Sequence, residues 1–227
     1  MEPVKTPSHL DRALRGSSKG FTLVELLVVI AIIAIISAAS MPAIQSTLES
    51  TAISMGGQTL AGQINLARQM ASSRNAEVQV RLIQLPGVSA GYNAIQLWGT
   101  YSGSSTEIAL SPMVIMPVQV VVSQNTTYYS PLLATSAVDG EAVSTSLTMS
   151  VPTGTANYIY FSIMPSGMLP VTNATAGGTS EMTGDYLTVV PARFGSTSTA
   201  PGATGAPKNY LIVQLNPTTS ATLVYQP

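Results

Sequence analysis

The sequence predicts an α+β protein, with one long N-terminal helix packed on an antiparallel β-sheet domain. The first 75 residues hold a long apolar run followed by apolar residues at helical spacing. From Glu77 onward, short segments alternate apolar and polar residues and are separated by turn residues. Strands that follow one helix, instead of alternating with helices, are typical of the α+β class.

The N-terminal part of the helix is predicted to span a membrane. Residues 1–20 form a polar leader, and residues 21–41 are apolar except for one charge, Glu25. Residues 21–40 make 20 positions (40 − 21 + 1), enough for a helix of about 30 Å, the thickness of the bilayer hydrocarbon core. Inserting a carboxylate there costs about 2.5–3.5 kcal/mol, so Glu25 is predicted to have a functional role.

The flanks of the apolar run predict its orientation. Four Lys or Arg residues lie in the leader, and none follows the run until Arg68. The positive-inside rule then places the leader in the cytoplasm and everything after Pro42 outside. We expect a single-pass protein of the cytoplasmic (inner) membrane whose C-terminal domain is periplasmic or otherwise extracytoplasmic.

Residues 42–75 are predicted to continue the helix as an amphipathic half. Pro42 removes one helical hydrogen bond and predicts a bend. Gly56 and Gly57 cost about 2 kcal/mol relative to two alanines and predict a second bend or a frayed turn. The predicted buried stripe follows apolar residues three and four apart: Ile44, Leu48, Ala52, Met55, Leu60, Ile64, Ala67 and Ala71.

Residues 76–227 are predicted to form a β-rich globular domain. Its first strand alternates Val78, Val80 and Leu82 with polar residues, the pattern of a half-buried strand. Connectors 172–184 and 195–207 are rich in turn residues, and the second is predicted to be a mobile surface loop. Without cysteine, the C-terminal region must be held by sheet pairing. The further predicted strands are 92–98, 113–123, 142–151, 157–164, 186–190, 209–215 and 221–225.

The junction of leader and apolar run carries a family resemblance. Residues 20–25, Gly-Phe-Thr-Leu-Val-Glu, resemble the prepilin signal of type IV pilins and type II secretion pseudopilins. The resemblance implies that prepilin peptidase cleaves between Gly20 and Phe21 and that Phe21 is then N-methylated. It also implies that Glu25 guides assembly, where it could pair with the Phe21 amine of a neighbouring copy. Pro42 matches the helix-bending proline of the family, at mature position 22 (42 − 20).

Residues 60–80 resemble one branch of that family, the H-type (FimT-like) minor pseudopilins. Those proteins show leucine, then Ala-Arg-x-x-Ala, a basic residue and a first strand. Ala67 and Ala71 place small side chains on one helix face, where a sheet can approach closely. Arg68 and Arg74 are placed to stabilise the helix C-terminus. Many major pilins carry a C-terminal disulfide, so the lack of cysteine favours a pseudopilin or a minor subunit over a major pilin.

Two alternative roles for the apolar run stay open. A general signal peptide would use residues 26–36 as its apolar core and residues 38–40 as its cleavage site. A signal peptide of that kind has no use for Glu25. A plain signal anchor would place Glu25 near the membrane interface. The joint spacing of Gly20, Phe21 and Glu25 favours the prepilin interpretation over both.

The composition argues against catalysis. The only histidine, His9, lies in the leader and cysteine is absent, so the mature chain cannot build Ser-His-Asp, Cys-His or zinc sites. A carboxylate pair from Asp139, Glu141, Glu181 and Asp185 lacks neighbouring aromatic sugar platforms. Asp139 and Glu141 are also few ligands for calcium. We predict no catalytic residue, no metal site and no cofactor.

The charge balance bears on partners. Without the leader, five basic (9 − 4) and eight acidic (10 − 2) residues remain, a net charge of −3. No basic patch is evident, so no nucleic acid is expected to bind. The charged fraction is 8%, against about 25% in ordinary soluble domains, which suits a subunit packed among others.

These observations predict a non-enzymatic subunit of a type II secretion pseudopilus or a type IV pilus-like fibre. Its expected partners are prepilin peptidase, other pilin or pseudopilin subunits, an assembly platform membrane protein and membrane lipid. The alternative is a membrane-anchored extracytoplasmic binding module that uses the signal only for export. Such a module would recognise a secreted substrate or a polysaccharide through its Tyr- and Thr-rich sheet.

Cleavage between Gly20 and Phe21 is expected to give a mature chain of 207 residues (227 − 20). The reason is that a small residue stands between a basic leader and an intact apolar run. Intact-mass measurement or N-terminal sequencing of the membrane-extracted protein checks this. A mature chain that begins at Met41 would show ordinary signal peptidase processing instead.

Overall fold

The computed structural model describes residues 20–88, 90–100, 106–133, 147–152, 154–169 and 185–227. Within these residues one helix, α1 (Leu23–Arg74), precedes ten strands and two short 3-10 helices (Pro131–Leu133 and Ala192–Phe194). The strands are β1 (Val78–Gln84), β2 (Ala94–Thr100), β3 (Glu107–Ala109), β4 (Val114–Ile115), β5 (Val120–Val122), β6 (Leu147–Val151), β7 (Gly154–Ile163), β8 (Tyr186–Pro191), β9 (Leu211–Leu215) and β10 (Thr222–Tyr225).

The chain divides into two units, Met1–Gln45 and Ser46–Pro227. In the second unit the strands form two antiparallel sheets. Sheet A has the order β3-β2-β1-β7-β6, with β4 also paired to β2, and sheet B has the order β10-β9-β8-β5. A bridge between Tyr92 and Val122, with hydrogen bonds of 2.9 and 2.8 Å, links the two sheets. The predicted α+β class is confirmed.

The core of the second unit lies between α1 and the inner faces of both sheets. On the helix, Leu60, Ile64, Ala67 and Ala71 are each 0% exposed, as the predicted stripe requires. They belong to one cluster that also includes inward-facing residues of β1, β7, β8 and β9. The small side chains at 67 and 71 therefore lie at the helix–sheet contact, where they were predicted to lie.

The first half of the predicted stripe is wrong except at Ala52, which is half-buried and packs against the core. Ile44, Leu48 and Met55 are 57%, 64% and 56% exposed, while Ile53 is fully buried. The physical reason is that the packed face of α1 follows the glycines at 56 and 57, which are buried, and not the larger apolar side chains. A stripe traced through apolar residues alone passes to the wrong side of the helix.

The glycine pair allows a close approach of α1 to sheet B. A Cβ atom at Gly57 would lie 2.3 Å from Leu211 Cδ2, and one at Gly56 would lie 2.9 Å from Val120 Cγ1. The helix continues unbroken through both positions, so the predicted frayed turn is absent. The glycines remove side chains that would separate the helix from the strands, and burial against β5 and β9 compensates for their low helix propensity.

Several strand predictions need correction. Segment 113–123 is two strands, because β4 pairs with β2 in sheet A whereas β5 pairs with β8 in sheet B. Between them Gln119 has φ of +67°, a left-handed conformation that no alternation pattern reveals. Strand β3 was not predicted. Strand β1 is more than half-buried, because Arg81 on its outer face is only 4% exposed.

The structure also bears on the predictions for loop 195–207 and for Arg68 and Arg74. In loop 195–207, Ala206 is buried and Thr199 O accepts a hydrogen bond of 2.9 Å from the Tyr129 hydroxyl, so the loop packs on the domain. Arg68 donates a hydrogen bond of 3.4 Å to Thr219 O, and Arg74 lies in the last turn of α1, as predicted. Residues 142–146 and loop 172–184 lie outside the described residues.

The C-terminal region is held by sheet pairing, as the absence of cysteine requires. Strand β10 pairs antiparallel with β9, with Thr222 opposite Leu215. The Thr222 hydroxyl also accepts a hydrogen bond of 3.0 Å from the Asn65 side chain of α1. The last strand is therefore fixed both to its neighbour in the sheet and to the helix.

Gly57→Ala and Gly62→Ala are expected to change stability in opposite directions. The Cβ atom at 57 would overlap Leu211, and overpacking should outweigh the helix-propensity gain, for a net loss of roughly 1–2 kcal/mol. Gly62 is exposed with no heavy atom within 4 Å of its Cβ position, so alanine there should stabilise by about 0.5–1 kcal/mol. Denaturant unfolding of the detergent-solubilised chain measures both, and equal shifts would contradict the close approach.

Ala67→Glu is expected to destabilise the protein by several kcal/mol, because it buries an unpaired charge at the helix–sheet contact. Arg68→Ala, at the neighbouring half-buried position, should change the free energy of unfolding by less than about 1 kcal/mol. Thermal unfolding of the two variants checks the buried face. Similar melting temperatures would show that this face is assigned wrongly.

Candidate functional site

The first turn of α1 is built around Thr22. The helix begins at Leu23, and the Thr22 hydroxyl accepts a hydrogen bond of 3.2 Å from the backbone N–H of Glu25. The Thr22 carbonyl accepts the first helical bond, from the Leu26 N–H at 3.1 Å. Thr22 is thus the N-cap, and it satisfies a donor that would otherwise lack a partner at the helix start.

This role of Thr22 was missed in the sequence. The available signal was Thr-x-x-Glu, the spacing of a capping box, directly before an apolar run. The cap fixes where the helix begins, and therefore fixes Glu25 in the first turn. A carboxylate in that turn is favoured by the unpaired N–H groups of the helix N-terminus.

Gly20, Phe21 and Thr22 precede the helix and are exposed. Gly20 and Phe21 therefore lie outside the hydrogen-bonded turns of the helix. A peptidase needs an accessible bond whose backbone it can bind in its own cleft, and the bond between Gly20 and Phe21 meets that condition. The Phe21 side chain is 74% exposed.

The apolar part of α1 exposes its side chains on all sides. Every large apolar residue identified from Leu23 to Met41 is at least 44% exposed, the lowest being Val29. The most apolar stretch of this helix contains no buried residue. By length and composition the helix can cross a membrane, where lipid or neighbouring helices would cover these side chains.

A second candidate surface is the outer face of sheet A, around the buried Arg81. Its guanidinium lies 4.1 Å from the Trp98 ring centre and 4.6 Å from that of Tyr158. It also donates to the Gln79 side chain, at 2.9 and 3.1 Å, and forms an ion pair with Glu107. These aromatic and polar groups satisfy one another, so the cluster fixes the sheet face rather than presenting open binding groups.

The acidic residues named in the sequence offer little chemistry. Asp185 lies directly before β8, where burial raises the pKa of its carboxyl. Asp139, Glu141 and Glu181 lie outside the described residues. Among the residues that are described, no group of three or more His, Cys, Asp or Glu side chains could hold a metal ion.

Comparison with known proteins bears on the N-terminal segment. Residues 15–41 match the family model of the prokaryotic N-terminal methylation motif. No curated protein and no solved structure matches the chain. The matched segment contains Gly20, Phe21 and Glu25 together with the exposed apolar part of α1. The match supports a protein of the type IV pilin or pseudopilin kind, processed at its N-terminus and anchored by a single membrane helix.

Proposed function

We propose that this chain is a structural, non-catalytic subunit of a type II secretion pseudopilus or a type IV pilus-like fibre in the cytoplasmic membrane. One observation carries the proposal. The segment that matches the methylation motif is the same segment that forms an exposed apolar helix with a single carboxylate in its first turn. Pilin-like proteins are usually structural components, in keeping with this role.

The proposed domain division follows from the same segment. Residues 1–20 are a leader that prepilin peptidase removes, residues 21–41 span the membrane, and residues 42–75 form the second half of the helix. Residues 76–227 form the extracytoplasmic domain. The limits of α1, the boundary between units after Gln45 and the first strand at Val78 support these divisions to within a few residues.

Cleavage creates the charge that Glu25 needs. Hydrolysis after Gly20 leaves a carboxylate on the leader and a free amine on Phe21, which stays cationic when N-methylated. Because Thr22 already satisfies the backbone N–H of Glu25, the first turn holds its shape without help from the Glu25 carboxylate. The carboxylate is then available for the Phe21 amine of a neighbouring subunit, and a charge-assisted bond in hydrocarbon offsets the cost of burying both groups.

This pairing would also set the stagger between subunits. A neighbour in parallel orientation is displaced along the helix axis by the distance from its Phe21 amine, just before the helix, to Glu25 in the first turn. The apolar surface between residues 23 and 41 would then pack on equivalent helices. Prepilin peptidase, sister subunits, a platform membrane protein and lipid are the partners this mechanism requires.

Within the family we propose the H-type minor branch. The Ala-Arg-x-x-Ala stretch packs as that resemblance implies, with Ala67 and Ala71 fully buried, and β1 follows shortly after the helix. The chain has no cysteine and therefore cannot form the C-terminal disulfide of many major pilins.

Glu25→Ala is expected to abolish incorporation into fibres while leaving membrane insertion and cleavage intact. The variant removes the partner of the Phe21 amine, and insertion becomes easier because a costly charge is lost. Sheared-fibre recovery and crosslinking measure assembly, and intact mass measures cleavage. Glu77→Ala removes an exposed carboxylate outside the apolar run and serves as the matched control.

Wild-type assembly by the Glu25→Ala variant would remove the assembly role of this residue. Normal cleavage of the wild-type chain with no recovery in any fibre would favour the second function, a membrane-anchored binding module.

A further inference from the structure

One end of the unit Ser46–Pro227 combines exposed apolar and basic side chains. Val118 is 85% exposed, the largest value among the exposed large apolar residues. The Arg193 side chain is 60% exposed, and Lys208 is exposed as well. We call the surface formed by Val118, Arg193 and Lys208 the basic end.

Backbone contacts bring the parts of the basic end together. The Ala192 N–H donates a hydrogen bond of 2.8 Å to the Gln119 carbonyl. The turn that carries Val118 therefore lies against the 3-10 helix that carries Arg193. Strand pairing supports the same arrangement, since Val120 lies opposite Pro191.

Arg193 fixes the basic end to the first residues of α1 in this unit. Its guanidinium donates two hydrogen bonds, of 2.8 and 2.9 Å, to the two carboxylate oxygens of Glu49. Beside this pair is a pocket of about 340 Å³, lined by Ser46, Glu49, Arg193, Phe194, Ala206, Lys208 and Asn209. The basic end is thus the end at which the helix enters the unit.

Chain length limits how far this end can lie from a membrane. Ser46 follows Met41, the last residue of the exposed apolar run, by five residues. Even a fully extended chain of five residues reaches only about 18 Å. If α1 spans a bilayer, covalent connection alone keeps the pocket near its interface, whatever the angle between the two units.

The charges at the basic end favour an anion. Among the described residues that line the pocket, Glu49 is the only acid, against two cations, so the local balance is +1 (2 − 1). A guanidinium has five N–H donors, and Glu49 takes one from each of two Arg193 nitrogens. The remaining donors and the Lys208 ammonium can bind phosphate oxygens, as basic groups beside anionic membranes do.

We propose that the basic end binds the anionic headgroups of the membrane that holds α1, with the Val118 side chain entering the interface. The contact joins an apolar tip to a basic pocket that begins five residues along the chain from Met41. It requires only that the chain is membrane-anchored and does not depend on fibre assembly. Its role would be to hold the unassembled subunit against the bilayer.

The absence of cysteine makes the test direct, since a single cysteine can carry a fluorescent label. Val118→Cys reports on the basic end. Ser166→Cys is the control, because Ser166 is exposed and follows Pro165, whose carbonyl accepts a hydrogen bond of 3.2 Å from Ser72. Ser72 is 23 residues (72 − 49) beyond Glu49, about 35 Å along the helix.

The full chain is reconstituted in vesicles of phosphatidylcholine alone and of phosphatidylcholine with phosphatidylglycerol. Quenching of each label is measured with a lipid-attached quencher and with aqueous iodide. With phosphatidylglycerol, the label at 118 should be quenched by the lipid-attached quencher and shielded from iodide, and the label at 166 should show the reverse. Lys208→Gln should lower about fivefold the preference of the label at 118 for lipid contact in vesicles with phosphatidylglycerol over vesicles without it. Arg74→Gln, at the last residue of α1, should leave this preference unchanged.

Three results would overturn the proposal. The first is equal iodide quenching at 118 and 166 in both lipids. The second is a lipid contact at 118 that is the same with and without phosphatidylglycerol, or that survives Lys208→Gln unchanged. The third is shielding of 118 from iodide without lipid quenching, which would assign the surface to contact with a second copy of this chain.

Discussion

The close approach of α1 to the two sheets is the constraint on which the folded unit depends. At Gly56 and Gly57 the helix has no side chain facing sheet B, and at Ala67 and Ala71 it has only methyl groups at the buried contact. Larger residues on the strands, such as Leu211, fill the space that these small residues leave. Helix and strand side chains thus share one continuous core, close-packed as protein interiors are.

Two ion pairs join parts of the fold at specific contacts. Arg81 of β1 contacts aromatic rings on the two neighbouring strands, β2 and β7, and reaches across β2 to Glu107 of β3. Arg193 links α1 to the segment after β8 through Glu49. The first pair includes a side chain that is 5% exposed, so it depends on its partners to offset desolvation. In the second pair Arg193 is exposed and Glu49 is half-buried, so the pair acts more to position two segments than to stabilise them.

The candidate site could be predicted from the sequence because its parts are local. Gly20, Phe21 and Glu25 lie within six consecutive residues, and one apolar run follows them. Their separation along the chain keeps them close together whatever the rest of the fold is. Even the Thr22 cap, which was missed, leaves a short sequence signal, because both of its partners belong to the same turn.

The sequence by itself determined the α+β class, the limits of the long helix, most strands and the burial of Ala67 and Ala71. The first half of the helix follows from one long apolar run, and the strands and the burial of Ala67 and Ala71 follow from a period of 2 or 3.6 along the chain. Only the tertiary structure decided which face of the helix near residue 56 is buried, which sheet β4 and β5 each join, and that Arg81 is enclosed. These features depend on contacts between residues far apart in the chain. A glycine in a helical sequence, for example, can mark either a break in the helix or a close approach of another element, and the sequence alone does not distinguish the two.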